Sequence, residues 1–479
     1  MTFADGRRAI AATGGSYAQL REAFAWRLPT DLNIGRICSD EQPPSQIALI
    51  EVGETESKEY TFGQLAELSN RLANALTGLG IGSGDRVAMV LPQRVEAGLT
   101  HLAVYKLGGI VVPLSGLFGP DALTYRLGDS GARAVLTDAR NLDKVAEVAR
   151  DLGSVQVICV DDPVVAPHQS FWHLLHAADA TFAGPDTGPD TPALLIYTSG
   201  TTGPPKGAVH GHRVLIGHLP GYELMFDFFP QPGDVVWTPA DWAWIGGLLD
   251  ALLPAWYHGR PVVSAARRAF DPQWGIDLIT RHRVTVSFLP PTALKMMRQS
   301  EVAHRDLPLR AVMSGGEPLG GEMLAWAEEN LGITVNEIFG QTEANLIIGN
   351  CSAAWEVRPG SMGRPYPGHE VAVIDGDGNR MGAGEAGEIA VHRPDPVMFL
   401  EYWNRPQLTE EKFVGDWLRT GDMGHVDADG SFWFQARGDD VITSAGYRIG
   451  PAEIEECLMG HPTVAMAAAI GVPDEIRGH

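Results

Sequence analysis

Residues 197–207 read Tyr-Thr-Ser-Gly-Thr-Thr-Gly-Pro-Pro-Lys-Gly. Gly200, Gly203 and Gly207 let the backbone approach a ligand with no Cβ in the way. Thr198, Ser199, Thr201 and Thr202 supply hydroxyl donors, and Lys206 supplies a full positive charge. Backbone N–H groups and hydroxyls of such a loop can cradle phosphate oxygens while the lysine neutralises their charge. The preceding Ala193-Leu-Leu-Ile196 reads as a buried strand. The loop therefore falls at a strand's carboxyl end, where open α/β sheets hold their ligands. A solvated Ser/Thr/Gly turn has the same composition, but the ordered run into Pro-Pro-Lys-Gly favours a polyphosphate loop. Lys206 is followed by Gly207 rather than Ser or Thr, so this is not the P-loop NTPase pattern.

Outward from the loop, strand and helix signals alternate. Thr61 caps a predicted helix carrying Leu65, Leu68, Leu72 and Leu76. Strands are expected over 86–92, 110–113, 132–137 and 155–160, with a helix over 95–107. The alternation resumes with strands over 235–238, 284–289 and 309–314. That rhythm predicts an α/β fold of doubly wound parallel sheets with helices on both faces. After 360 the texture changes to short strands joined by Asp375-Gly-Asp-Gly-Asn379 and Asp427-Ala-Asp-Gly430, which read as hairpins. The expectation is a large N-terminal domain over 1–436, including a small β-rich subdomain over about 360–436. Gly382–Gly387 matches the dinucleotide GxGxxG pattern but precedes a strand rather than a helix, so it reads as a tight turn.

Four further stretches carry chemistry. Asp241-Trp-Ala-Trp-Ile-Gly-Gly247 sets two tryptophans beside paired glycines, suited to a ligand channel or to core packing. Ser314-Gly-Gly-Glu-Pro318 offers a flat peptide face for a purine, or a plain strand-to-helix turn. In Glu337-Ile-Phe-Gly-Gln-Thr-Glu343, following a strand over 333–335, Phe339 can stack on a base and Thr342 can reach a phosphoryl oxygen. Glu343 can ligate the Mg²⁺ that accompanies ATP. Thr420-Gly-Asp422 offers a carboxylate to ribose hydroxyls, and Arg437 and Arg448 flank a polar Gly-Asp-Asp joint.

Taken in this order, the segments from about residue 24 onward resemble the acyl-adenylate-forming superfamily, above all its medium-chain and acetyl-type acyl-CoA synthetases. The resemblance implies an ATP-dependent ligase: a carboxylic acid and ATP give acyl-AMP and pyrophosphate, and CoA then displaces AMP. It implies ATP, Mg²⁺ and CoA as cofactor and co-substrates. Thr198, Ser199, Gly200, Thr201, Thr202, Gly203 and Lys206 would hold phosphates. Gly315, Gly316, Glu317, Pro318 and Phe339 would flank the adenine, with Glu337, Gly340 and Gln341 also binding ATP or AMP. Lys206, Thr342 and Glu343 would be the catalytic set, with Glu343 on the metal. Asp422 and Arg437 would take the ribose, Arg448 phosphates, and Gly446 the CoA arm. Asp439 would be the hinge, within 437–440, leading into a small mobile α+β C-terminal domain from 441.

Trp244, Ile245, Gly246, Gly315 and Gly340 would line the acyl pocket. In acetate-specific relatives a tryptophan matches Gly340 and a valine matches Gly315. Their replacement by glycine implies space for several methylenes, each worth about 0.8 kcal/mol when buried, and hence a medium-chain or aromatic acid. Relatives also carry a catalytic lysine beyond the segment where this chain stops, at His479. The expectation is therefore that 441–479 is only the start of the C-terminal domain, with the source protein longer. Adenylation would be severely impaired in a protein truly ending there.

A net charge of −23 from 36 basic and 59 acidic residues argues against a nucleic-acid partner. Four dispersed cysteines without CxxC pairing argue against a zinc site and suit a reducing compartment, the cytoplasm by default. No membrane span is read, and a homo-oligomer is compatible with the sequence. His210, His212 and His218 read as helix-surface or packing residues. Two other readings remain open on sequence: an adenylation domain serving another acid or a carrier protein, and a truncated nucleotide-binding protein without turnover.

Overall fold

The alternation resolves into two large sheets in the computed structural model. It describes residues 8–10, 15–53, 55–198, 204–267, 269–300, 307–438, 442–444, 447–449, 454–455, 458–459, 461, 464 and 466–472. The smaller sheet has eight strands. Six run parallel: Pro192–Thr198, Ile110–Pro113, Arg86–Val90, Ala134–Thr137, Gln156–Cys159 and Gln169–Ser170. Their apolar runs are buried almost throughout, as expected where both faces are covered. Lys206–Gly211 then returns antiparallel along Pro192–Thr198, and Glu401–Tyr402 pairs with its far edge.

The larger sheet has fourteen strands. Ile47–Val52, Val262–Ala265, Val236–Trp237, Val286–Phe288, Ala311–Gly315 and Val335–Gln341 are parallel. From there the direction alternates through Ala344–Gly349, Ser361–Pro365, Phe432–Arg437, Trp417–Val426, Gly387–His392 and Val371–Ile374. The short strands after 360 are thus hydrogen-bonded to the parallel half through Ile348 and Pro365. Gly382–Gly387 is a turn leading into Gly387–His392, as its context required.

Local chemistry sets the helices. Thr61 accepts from the Gln64 amide and Gln64 from the Thr61 amide, a reciprocal capping box that starts the helix Phe62–Gly78. Leu65, Leu72 and Leu76 form its buried face. The apolar stretch after Trp244 is a helix, buried from Gly247 onward, that passes through one π-helical segment, Leu248–Leu252, before Leu253–Tyr257. No helix among the described residues is long and apolar enough to cross a membrane.

One local expectation needs correction. Glu337–Gln341 does not follow a strand but belongs to one, Val335–Gln341, which pairs with Ala344–Gly349. Backbone pairing claims the segment, leaving only Thr342 and Glu343 to make the turn. Thr420–Asp422 lies inside the strand Trp417–Val426.

Candidate nucleotide and acyl site

A cleft of about 2130 Å³ runs where the carboxyl ends of both sheets face one another. Tyr197, Thr198 and Lys206 line it from the smaller sheet. Gly316–Pro318, Glu337–Glu343, Asp422 and Arg437 line it from the larger one. Thr198 and Lys206 are paired across the base of a hairpin, so the intervening loop is closed at its root by backbone pairing. Ser199, Gly200, Thr201, Thr202 and Gly203 lie outside the described residues, as do Asp439 and Gly446. Arg448 falls in the short strand Tyr447–Ile449, paired with Ile442–Ser444.

Lys206 projects over the face of Tyr402, its Nζ 5.5 Å from the ring centroid. The Tyr402 hydroxyl donates to the buried Glu343 carboxylate. A lysine from one sheet and a glutamate from the other are therefore bridged by one phenol. Burial and the adjacent Glu343 charge push the Tyr402 hydroxyl pKa well up, keeping it a donor at every physiological pH. Tyr402 gives no local sequence signal: it is one aromatic in a two-residue strand, and only its pairing opposite Ala208 brings it to the site.

The nucleotide wall is tied together by further hydrogen bonds. Asp422 and Arg437 are register partners on adjacent strands, and the guanidinium donates to Asp422 Oδ1 at 2.8 Å. Burial raises the Asp422 carboxyl pKa, with Arg437 pulling against it. Gln341 Nε2 donates to the Thr420 carbonyl at 3.0 Å, fastening the Thr342–Glu343 turn to the Asp422 strand. Glu337 accepts from the Leu319 amide at 3.0 Å and so holds the far end of the Gly316–Pro318 loop. Gly316 has φ +97 and a Cβ there would meet nothing, leaving an open peptide face beside the cleft.

The residues expected to line an acyl pocket behave differently. Trp244 is 44% exposed, unusual for an indole, and meets Phe118 edge-to-face at 6.0 Å. Gly340 lines the cleft, but neither it nor Gly315 has room for a Cβ. A Cβ on Gly340 would strike the Leu346 amide nitrogen and lie 2.7 Å from Asn345 Cα. One on Gly315 would lie 2.5 Å from Ile338 Cδ1. These glycines are required by close packing within the hairpin and its neighbour, so the argument that two lost side chains free space is corrected. Gly246 is similar, its absent Cβ falling 2.9 Å from Phe288 Cε1 and 3.5 Å from Asp250 Oδ2.

Behind these glycines lies a buried polar group. Asn345 Nδ2 lies 2.8 Å from Asp250 Oδ1 and 3.2 Å from His218 Nε2. Burial lifts the Asp250 carboxyl to about 8. His210, His212 and His218 are all fully buried, so the packing reading holds and the surface one does not. Burial lowers their pKa values to about 3, 3 and 4.

Comparison with known proteins agrees with this geometry. The family described as AMP-binding enzyme matches residues 38–403. An uncharacterised acyl-CoA ligase of Bacillus subtilis, YtcI, is 34% identical over 442 residues, covering 89% of this chain and 80% of the relative. A crystal structure of Brucella canis acyl-CoA synthetase superposes with TM-score 0.83 at 32% identity, covering 97% of this chain and 87% of that one. The anthranilate CoA ligase AuaEII, solved with anthranoyl-AMP, gives TM-score 0.86 at 27% identity over 94% of this chain and 86% of its own.

Proposed function

The chain belongs to the AMP-binding enzyme family, and from that premise we propose that it is an acyl-CoA synthetase whose acid is larger than acetate, a medium-chain or aromatic carboxylate. The observation that carries the reading is the placement of Lys206, Glu343, Asp422 and Arg437 along one cleft with Trp244 at its apolar margin.

A carboxylate resists attack by a thiol, because its charge repels the nucleophile and its oxide leaves poorly. Adenylation solves this. A carboxylate oxygen attacks the α-phosphorus of ATP, the bond from that phosphorus to the bridging oxygen breaks, and pyrophosphate departs. The CoA thiolate then attacks the acyl carbon and AMP leaves. No covalent enzyme intermediate is needed, so the protein's share is alignment and charge stabilisation. On this reading Lys206 offsets charge on the phosphates. Thr342 donates to the α-phosphate, while Asp422 and Arg437 hold the ribose. The Gly316–Pro318 face receives the adenine. Thr198 to Gly203 would hold the phosphates with help from Arg448, Gly446 would serve the CoA arm, and Asp439 would be the hinge.

Magnesium fits the donor set. Glu343 is a single buried carboxylate, and no cluster of three His, Cys, Asp or Glu exists among the described residues. That suits an ion held by one carboxylate, water and substrate phosphates. When bound, the ion neutralises phosphate charge as pyrophosphate leaves. Tyr402 orients the carboxylate that would hold it.

For the acid, the support is the apolar lining of the cleft by the exposed Trp244 together with Ile338 and Phe339. We place the enzyme in the cytoplasm on its cysteine usage, and assign it small-molecule partners only. The test is CoA-dependent AMP release with ATP and Mg²⁺, comparing acetate, octanoate and benzoate. Octanoate or benzoate should exceed acetate in kcat/KM; acetate exceeding both would overturn the assignment of the acid while leaving the ligase chemistry intact.

A further inference from the structure

Lys412 caps the short helix Pro406–Glu411 and lines the nucleotide cleft. Its ammonium makes three hydrogen bonds, all to neutral oxygens: Gln341 Oε1 at 3.2 Å, the Arg419 carbonyl at 2.9 Å and the Thr420 carbonyl at 3.5 Å. Gln341 precedes the Thr342–Glu343 turn, and Thr420 stands two residues before Asp422. Gln341 itself donates to the Thr420 carbonyl. One lysine and one amide therefore lock the proposed metal-holding turn to the proposed ribose-holding strand.

We propose that Lys412 is a positioning residue of the ATP subsite, fixing the spacing between Glu343 and Asp422 and lending that subsite a second fixed positive charge beside Lys206. The proposal rests on the ATP-site reading above. Its physical logic has two parts. A lysine satisfied by neutral carbonyls is not cancelled by a direct ion pair, so its charge is felt by an incoming polyphosphate. Half-buried in the cleft wall, such a charge acts more strongly than it would in free water. Glu343 faces it from the hairpin turn, Asp422 from its strand, Glu388 from Gly387–His392 and Lys206 from the smaller sheet. Arg419 is held aside by Glu388 at 2.8 Å, while Glu410 and Glu411 sit on Lys412's own helix. Burial outweighs the three facing carboxylates and lowers the lysine's pKa. The charge is thus lost, as pH rises, earlier than that of an ordinary lysine.

The experiment is carboxylate-dependent ATP–pyrophosphate exchange, which isolates adenylation from the CoA step, on the full chain and on Lys412→Met and Lys412→Arg. Lys412→Met should raise KM for ATP about tenfold, with KM for the acid within about twofold of wild type. Lys412→Arg should restore most of the ATP affinity. In wild type, KM for ATP should climb toward alkaline pH, whereas in Lys412→Arg it should stay flat, since arginine keeps its charge. The wild-type pH profile needs no variant to fold. A KM for ATP unchanged in Lys412→Met, or rising in parallel with that for the acid, overturns the inference. So does a wild-type KM for ATP that is flat with pH. Exchange lost in Lys206→Met but normal in Lys412→Met would overturn this inference alone. Wild type that neither exchanges nor binds ATP would overturn the ATP-site reading and this inference with it.

Discussion

Along the nucleotide wall, Gln341, Glu343, Asp422 and Arg437 are each fixed by a hydrogen bond to another polar group. Along the acyl wall, Gly246, Gly315 and Gly340 are fixed by what their missing side chains would strike. Polar chemistry advertises itself in residue type, because only a few side chains can hold phosphate, metal or ribose. Close packing does not, because a glycine in sequence looks the same beside a void and beside a neighbouring strand. The contrast teaches which part of a site can be argued from motif order and which needs coordinates.

The sharpest way to break the contrast is to remove charge from the polar wall. Lys206→Met or Glu343→Gln should lower kcat/KM for adenylation about 10²–10³-fold, the size of one lost transition-state donor, at little cost in melting temperature. Steady-state kinetics with the acid held fixed would read it. A loss below threefold in both variants would place phosphate binding elsewhere.

On the acyl wall the expectation reverses, with stability suffering first. Gly340→Ala drives a Cβ toward Asn345 and Leu346, and should cost about 1–3 kcal/mol by overpacking, measured by denaturant unfolding. Should a fully stable Gly340→Ala instead prefer acetate, the glycine borders open space after all.

Tyr402→Phe joins the two sheets' contributions and should matter less. Losing the hydroxyl that orients Glu343 should raise the Mg²⁺ concentration needed for half-maximal rate about tenfold, without altering acid preference. Equal rates at every Mg²⁺ level would show that Glu343 needs no such support.

The smallest effect concerns acid. His210, His212 and His218 have pKa values of about 3, 3 and 4 when folded, against 6.5 unfolded. Below pH 6.5 the unfolded chain takes up protons that the native chain refuses, so their contribution to stability is present above that pH and lost as pH falls. Asp250, raised from 3.8 to about 8, works in the opposite sense: its contribution is present below 3.8 and lost as pH rises through 8. Three groups outweigh one, so melting temperature should decline between pH 6.5 and 4. The decline should be shallower in His210→Gln; an unchanged slope would remove His210 from the account.

Much of this architecture was legible in the chain itself. Thr61 with Gln64, the apolar runs of the parallel strands, and the Asp-rich turns at 375–379 and 427–430 each specify local structure by local chemistry. Order did the rest: the segments around 315, 340 and 421 gain meaning only in sequence with the Lys206 segment. Tyr402 and Lys412 were not legible, because each acts through partners about 60–70 residues away. The continuation of the strand from Val335 to Gln341 was not legible because its polar residues hide a backbone ladder.

The central claim is that a carboxylate attacks the α-phosphorus of ATP in this cleft. Incubating the enzyme with carboxyl-¹⁸O-labelled octanoate, ATP, Mg²⁺ and CoA, and weighing the products by mass spectrometry, tests it directly. The account predicts AMP carrying one ¹⁸O together with unlabelled pyrophosphate. Label in inorganic phosphate, with ADP as co-product, would contradict it.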